Sequence, residues 1–195
     1  MATLKYVRDA KDTGFLLLGI IEEGEFVSYM LNLKAYAQIG APRAGDEIDS
    51  DKMETVKQTD QAIRARKKAL NLLSYADNNK KNLSVKLRRA GFSQDVALST
   101  CKDMEELGYI NERHQIERLI VDYANRKLRG PKKIVSQLMA KGYSLGEIKE
   151  TLSVLTESGE VDFSANAKLL LQKKLVDPSD ENEKKKILYK NGYNV

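Results

Sequence analysis

Apolar positions change their rhythm once along this chain. Over residues 3–31 they run in short blocks bounded by turn signals. Leu4 to Asp9, Phe15 to Ile21 and Glu25 to Leu31 read as strands, with Thr13-Gly14 and Glu23-Gly24 as the turns between them. A lone hairpin is marginal in water, so this one is expected to pack on a neighbouring element. Ala35 to Ile39 reads as a short helix and residues 40–46 as a loop. From Asp51 onward the spacing becomes helical and stays so. Ala97, Leu98, Cys101, Met104 and Leu107 form one expected core stripe. Ile116, Leu119, Ile120 and Tyr123 form a second, and Ile148, Leu152 and Leu155 a third.

The helical part repeats. Leu87-Arg88-Arg89-Ala90-Gly91-Phe92-Ser93 is echoed by Leu138-Met139-Ala140-Lys141-Gly142-Tyr143-Ser144 and again by Leu188-Tyr189-Lys190-Asn191-Gly192-Tyr193-Asn194. The three glycines lie 51 and 50 residues apart, the mark of a tandem array. Each echo has the same physics. A helix ends on Gly, which adopts positive φ without strain; an aromatic folds back on the last turn; Ser or Asn then caps the next helix. Ser144 with Glu147 has capping-box spacing. The expected helices are 61–76, 83–90 and 94–107 in a first unit and 112–128, 131–141 and 145–157 in a second. A third unit has 163–176 and 182–190 only. Gly130-Pro131 places Pro at a first helical position, where its missing N–H is harmless.

Composition narrows the function. With one cysteine (Cys101) and one histidine (His114), the chain forms no internal disulfide and no Cys/His zinc cage, and it suits a reducing cytosol. No stretch approaches the ~20 apolar residues that span a bilayer, so no membrane contact and a cytoplasmic location are expected. The chain carries no phosphate-loop, dinucleotide, H-E-x-x-H or G-x-S-x-G signature. His114 reads as a solvent-facing or packing side chain and Cys101 as a small buried hydrophobe. No catalytic, cofactor or metal site is expected.

Charge is uneven. Residues 1–62 hold 7 basic and 11 acidic side chains, a net of −4, whereas residues 63–195 hold 26 and 17, a net of +9. The basic excess falls in clusters at similar places in the repeats: Arg88 and Arg89; Arg126, Lys127, Arg129, Lys132, Lys133 and Lys141; Lys173 and Lys174. Such cations meet carboxylates or phosphates. These ten are the candidate partner-binding residues. Tyr109, Tyr123 and Tyr143, interleaved with them, read as mainly structural.

Several runs resemble the RecX family. Leu87-Arg88-Arg89-Ala90-Gly91-Phe92, Glu106-Leu107-Gly108-Tyr109-Ile110 and Arg129-Gly130-Pro131-Lys132-Lys133-Ile134-Val135-Ser136-Gln137-Leu138 are similar to its hallmarks, in order and spacing, as are Ala69-Leu70 and Leu73-Ser74. The run Asn111-Glu112-Arg113-His114-Gln115-Ile116 departs from the family's D-E-x-x-F/Y, a change expected to matter little. The resemblance implies a mainly α fold: tandem three-helix repeats in an elongated, curved array behind a small N-terminal β-hairpin module. The expected divisions are 1–50 for the hairpin module, 51–110 for a linker helix and first repeat, 111–159 for the second, and 160–195 for a two-helix third. That last end is expected to fray or to be completed by a partner. It further implies a non-enzymatic regulator in recombination and DNA repair, and because tandem repeats need no symmetry partner a monomer is expected. Such a protein lies in the groove of the RecA filament, inhibits its ATPase and strand exchange, and reaches DNA phosphate as well. A sequence-tolerant DNA-binding module and a helical scaffold for another acidic protein remain open on the same residues.

Overall fold

The computed structural model describes residues 2–11 and 14–194. Thr13, in the first expected turn, lies outside them. The chain is mainly helical with a small N-terminal sheet, and it divides into two compact units: Met1–Ala76 with Leu83–Glu106, and Asp77–Asn82 with Leu107–Val195.

In the first unit β1 (Ala2–Asp9), β2 (Phe15–Glu22), β3 (Glu25–Asn32) and the two-residue β4 (Glu47–Ile48) form an antiparallel sheet ordered β3-β2-β1-β4. Glu23 and Gly24 join β2 to β3 with φ of 52° and 86°, the two positive angles that a tight hairpin turn of matching twist demands. A bulge between Leu4 and Tyr6 shifts the β1 register. The Tyr6 ring lies over Gly19, where an added Cβ would stand 2.4 Å from it. Asn32 caps the short α1 (Leu33–Gln38) by accepting from the Ala35 N–H.

The sheet packs on α2 (Ser50–Tyr75), whose Met53 and Val56 are buried with Leu4, Leu18, Ile20 and Leu31. Sequence spacing suggests a linker helix from residue 51 and a separate helix from residue 61 here. One uninterrupted helix serves both purposes: its first half covers the sheet, and Ala65 and Ala69 in its second half are fully buried on the side that meets α4. Asp60 ties the two. Its Oδ1 accepts from the Met30 backbone N–H at 2.7 Å, and Arg64, paired with it, donates to the Ser28 carbonyl at 3.0 Å. Both backbone groups belong to β3, the edge strand.

α3 (Lys80–Arg89) and α4 (Gln94–Glu106) follow. The buried stripe of α4 is Ala97, Thr100, Cys101 and Met104. Leu98 and Leu107, expected in that stripe, are each 52% exposed. Leu98 is a full 100° from Ala97 around the helix, where Thr100 closes the stripe instead, and Leu107 falls beyond the last helical residue.

The second unit holds α5 (Glu112–Val121), α6 (Pro131–Ala140), α7 (Leu145–Glu157), α8 (Phe163–Lys173) and α9 (Glu181–Lys190). Ile116, Ile120, Tyr123, Ile134, Leu138, Ile148 and Leu155 form its main core. α5 was expected to run to residue 128; it instead passes into a π-helical turn at Asp122–Arg126, and Leu128 follows at φ 51°. Ser144 caps α7 as its capping-box spacing predicts.

The Gly-aromatic corners do more than end helices. The Lys141 carbonyl, one residue before Gly142, accepts from the side chains of Asn79 and Asn82 around the start of α3. At the last corner, Gly130 and Lys132 donate backbone N–H bonds to the Asn191 and Gly192 carbonyls at 2.8 and 3.1 Å. Tyr193 tucks beneath, buried with Leu128 and Leu170, and its hydroxyl donates to the Leu128 carbonyl at 3.1 Å. A helix end rich in free carbonyls thus meets a helix start rich in free N–H groups, so each supplies what the other lacks.

Gly130 has φ −77° and ψ 165°, angles any residue accepts, yet a Cβ there would sit 2.4 Å from the Gly192 carbonyl carbon. Gly130→Ala should therefore cost about 1–3 kcal/mol, and hydrogen exchange should speed up in α8 and α9 and stay unchanged in the sheet. Burial also pushes the Tyr193 hydroxyl up to about 12 from 10.0. The neutral phenol is the favoured form in the folded state, so its stabilisation is complete below pH 10 and fades as the pH rises to about 12. Tyr193→Phe should abolish that alkaline loosening, read by tyrosine absorbance and helix signal on base titration.

Candidate partner-binding site

The ten candidate cations differ in what holds them. Arg88 and Arg89 are exposed on the last turn of α3, where their charge also complements the helix dipole. Lys173 and Lys174 are exposed at the end of α8. Lys141 is exposed, while its carbonyl serves the corner joint. Lys133 is half-buried and its Nζ donates to the Lys190 carbonyl at 3.2 Å, so part of its work is internal.

Arg126, Lys127 and Arg129 are gathered into one group by the π-helical turn. Asp122 accepts from Arg126 at 2.9 Å and pairs with Lys127 at 2.7 Å. The Lys127 ammonium, hydrogen-bonded to Asp122, holds that carboxyl below its usual range, and the charges of Arg126 and Arg129 act in the same direction. Lys127 and Arg129 also lie over the Tyr123 ring, at 4.4 and 4.9 Å from its centroid. The Arg129 guanidinium is further held by the Gln137 side-chain oxygen. Two cations on one ring face a shared electron-rich surface, which steadies them and leaves net positive charge outward. The Arg126 side chain is 83% exposed, so beyond the nitrogen it gives to Asp122 its fork faces solvent.

Beside this group, α6 and α7 leave a shallow groove of about 540 Å³ lined by Pro131, Val135, Met139 and Leu152, with Lys132 and Lys149 among its lining. An apolar floor with lysines around it fits an amphipathic acidic segment. Sequence reading singled out Lys132 but neither the groove nor Lys149, because a surface hollow depends on two helices meeting.

Two more residues were missed. Gln115, with Ile116, occupies the place of the family's aromatic, a change the sequence marks as minor. It is buried, accepts from the Tyr143 hydroxyl at 2.9 Å and donates to the Asn78 carbonyl at 3.4 Å. A polar side chain there joins the second corner's aromatic to the start of α3. Asp122, the anion that organises the basic group, carried no sequence signal either. His114 is exposed near the start of α5, 3.9 Å from Glu117, and Cys101 is buried. Among the described residues no group of three or more His, Cys, Asp or Glu is arranged to hold a metal ion, and no helix is long and apolar enough to cross a membrane.

No family model matches the chain. Individual relatives do. Regulatory protein RecX of Clostridioides difficile is 27% identical over 148 residues, which span 76% of this chain and 68% of that protein. Regulatory protein RecX of Caldanaerobacter subterraneus subsp. tengcongensis is 24% identical over 174 residues, or 89% and 85% of the two chains. A solved crystal structure of regulatory protein RecX covers 100% of this chain and 95% of its own at a TM-score of 0.74, with 18% identity, which speaks for a shared fold. Relatives of one name along most of the chain, and the same fold along all of it, agree with the corner motifs: the chain is similar to RecX regulatory proteins over most of its length and shares the fold of a solved RecX structure.

Proposed function

We propose that this chain is a non-enzymatic, cytoplasmic regulator of the RecA recombinase. In this reading it lies in the helical groove of the RecA filament and inhibits ATP hydrolysis and strand exchange. The observation that carries the reading is the group of Arg126, Lys127 and Arg129 on Tyr123, set beside the groove lined by Lys132. These cations are steadied before any partner arrives, so less side-chain entropy is lost on binding. The family's regulatory name supports the same direction. Arg88, Arg89, Lys141, Lys173 and Lys174 are proposed to extend the contact, with Lys133 sharing its charge between partner and corner. Part of the surface is proposed to reach DNA phosphate within the filament.

The experiment is RecA's single-stranded-DNA-dependent ATPase with this protein added below one copy per RecA. Inhibition is expected, weakening as salt rises. Replacing Arg88, Arg89, Arg126 and Lys132 with Ala should raise the concentration for half-inhibition by tenfold or more at physiological salt, with helix content unchanged. Equal inhibition by the variant would remove these residues from the site. Salt-sensitive DNA binding by the protein alone, with RecA unaffected, would favour a DNA-binding module instead.

A further inference from the structure

Of the three echoed corners, at Gly91, Gly142 and Gly192, two dock on the start of a repeat's second helix, and one corner and one such start are left over. The Gly142 corner meets the start of α3: an added Cβ on Gly142 would lie 2.9 Å from the Lys81 side chain. The Gly192 corner meets the start of α6, 2.4 Å from the Lys133 nitrogen on the same measure. The Gly91 corner has the same backbone, with φ 96°, yet among the described residues nothing lies within 4 Å of its Cβ position. Its neighbours Arg88, Arg89 and Ala90 are exposed.

The unused helix start belongs to α9. Leu175, ahead of that helix, has φ 53°, the counterpart of Leu128 at φ 51° ahead of α6. Leu128 is 3% exposed because the Tyr193 corner covers it; Leu175 is 92% exposed. The two free ends also differ in charge. Arg88 and Arg89 flank the open corner, whereas Asp177, Asp180, Glu181 and Glu183 flank the open start. Helix dipoles add to this, since a carbonyl end would face an N–H end.

We propose that the Gly91-Phe92 corner of one molecule docks on Leu175 and the start of α9 of a second, giving head-to-tail chains of this protein. The contact is heterologous, so each docking leaves one corner and one start available for the next copy. Phe92 lacks the hydroxyl that Tyr193 gives to Leu128, so the joint rests on apolar cover and charge. It is therefore concentration-dependent rather than permanent, in place of the strict monomer that tandem repeats alone would imply. The proposal goes beyond filament binding and is tested without RecA.

Sedimentation velocity of the full chain at low salt, from micromolar to millimolar concentration, should show mass rising with concentration. Leu175→Asn should hold the protein monomeric; Asn tolerates the positive φ, so folding is spared. Arg88→Glu with Arg89→Glu should also abolish association, as should Glu181→Lys with Glu183→Lys. Mixing these two double variants should restore it, because each reversed corner then meets a reversed start. A wild-type mass constant across the range would overturn the proposal. So would association that survives Leu175→Asn, or a mixture of the double variants that stays monomeric while each keeps native helix content.

Discussion

Backbone laid against backbone at Gly130 and Gly192 is the constraint from which the second unit takes its form. Neither position has room for a side chain, and only that lack of bulk lets the Asn191 and Gly192 carbonyls reach the N–H groups opening α6. The left-handed Leu128 follows from it. A non-glycine residue in that region costs of order 1–2 kcal/mol, and burying a leucine side chain returns about 1.5–3 kcal/mol. The strain is kept because Tyr193 closes over it. Remove the close approach, and Leu128 would hold an unfavourable angle with nothing to cover it.

Much of this architecture was legible in the sequence, for a physical reason. Corners are local: Gly91, Gly142 and Gly192 each need positive φ, and the residues beside them announce the helix end, the fold-back and the next cap. Pro131 and Ser144 sit where such rules place them. The misses share a different cause. Leu98 and Leu107 are apolar by type but lie off the stripe, and only the helix phase with its true end could show it. Asp60 and Arg64 look like an ordinary surface pair until β3 is seen against α2. The π-helical turn at 122–126 hides from a periodicity built on 3.6 residues, and with it hid the anion that collects Arg126 and Lys127. Gln115 looked like a lost aromatic because its partners, Tyr143 and the Asn78 carbonyl, are 28 and 37 residues away.

The basic surface makes the same point about function. The candidate cations were found by counting charge, yet counting treated all ten alike. In the fold they differ. Arg126 is open, Lys127 and Arg129 are braced on an aromatic ring, and Lys133 is partly spent on the corner joint. Braced cations hold a fixed shape, whereas exposed lysines such as Lys173 and Lys174 add a diffuse positive field.

The way β3 is finished bears on how the protein is made. Two of its outer backbone groups, the Met30 N–H and the Ser28 carbonyl, are met by Asp60 and Arg64, and Met30 and Asp60 stand 30 residues apart in the chain. During synthesis the three strands therefore leave the ribosome with a bare rim, and they keep it until α2 has followed. Over that interval the nascent sheet is as open to a neighbouring chain as any aggregation-prone edge. The head ahead of α2, with 5 basic and 8 acidic side chains over residues 1–49 and a net of −3, and with Glu22, Glu23 and Glu25 at its hairpin, repels like chains in just that window, so the acidity of the first module guards an unfinished product before any partner is met.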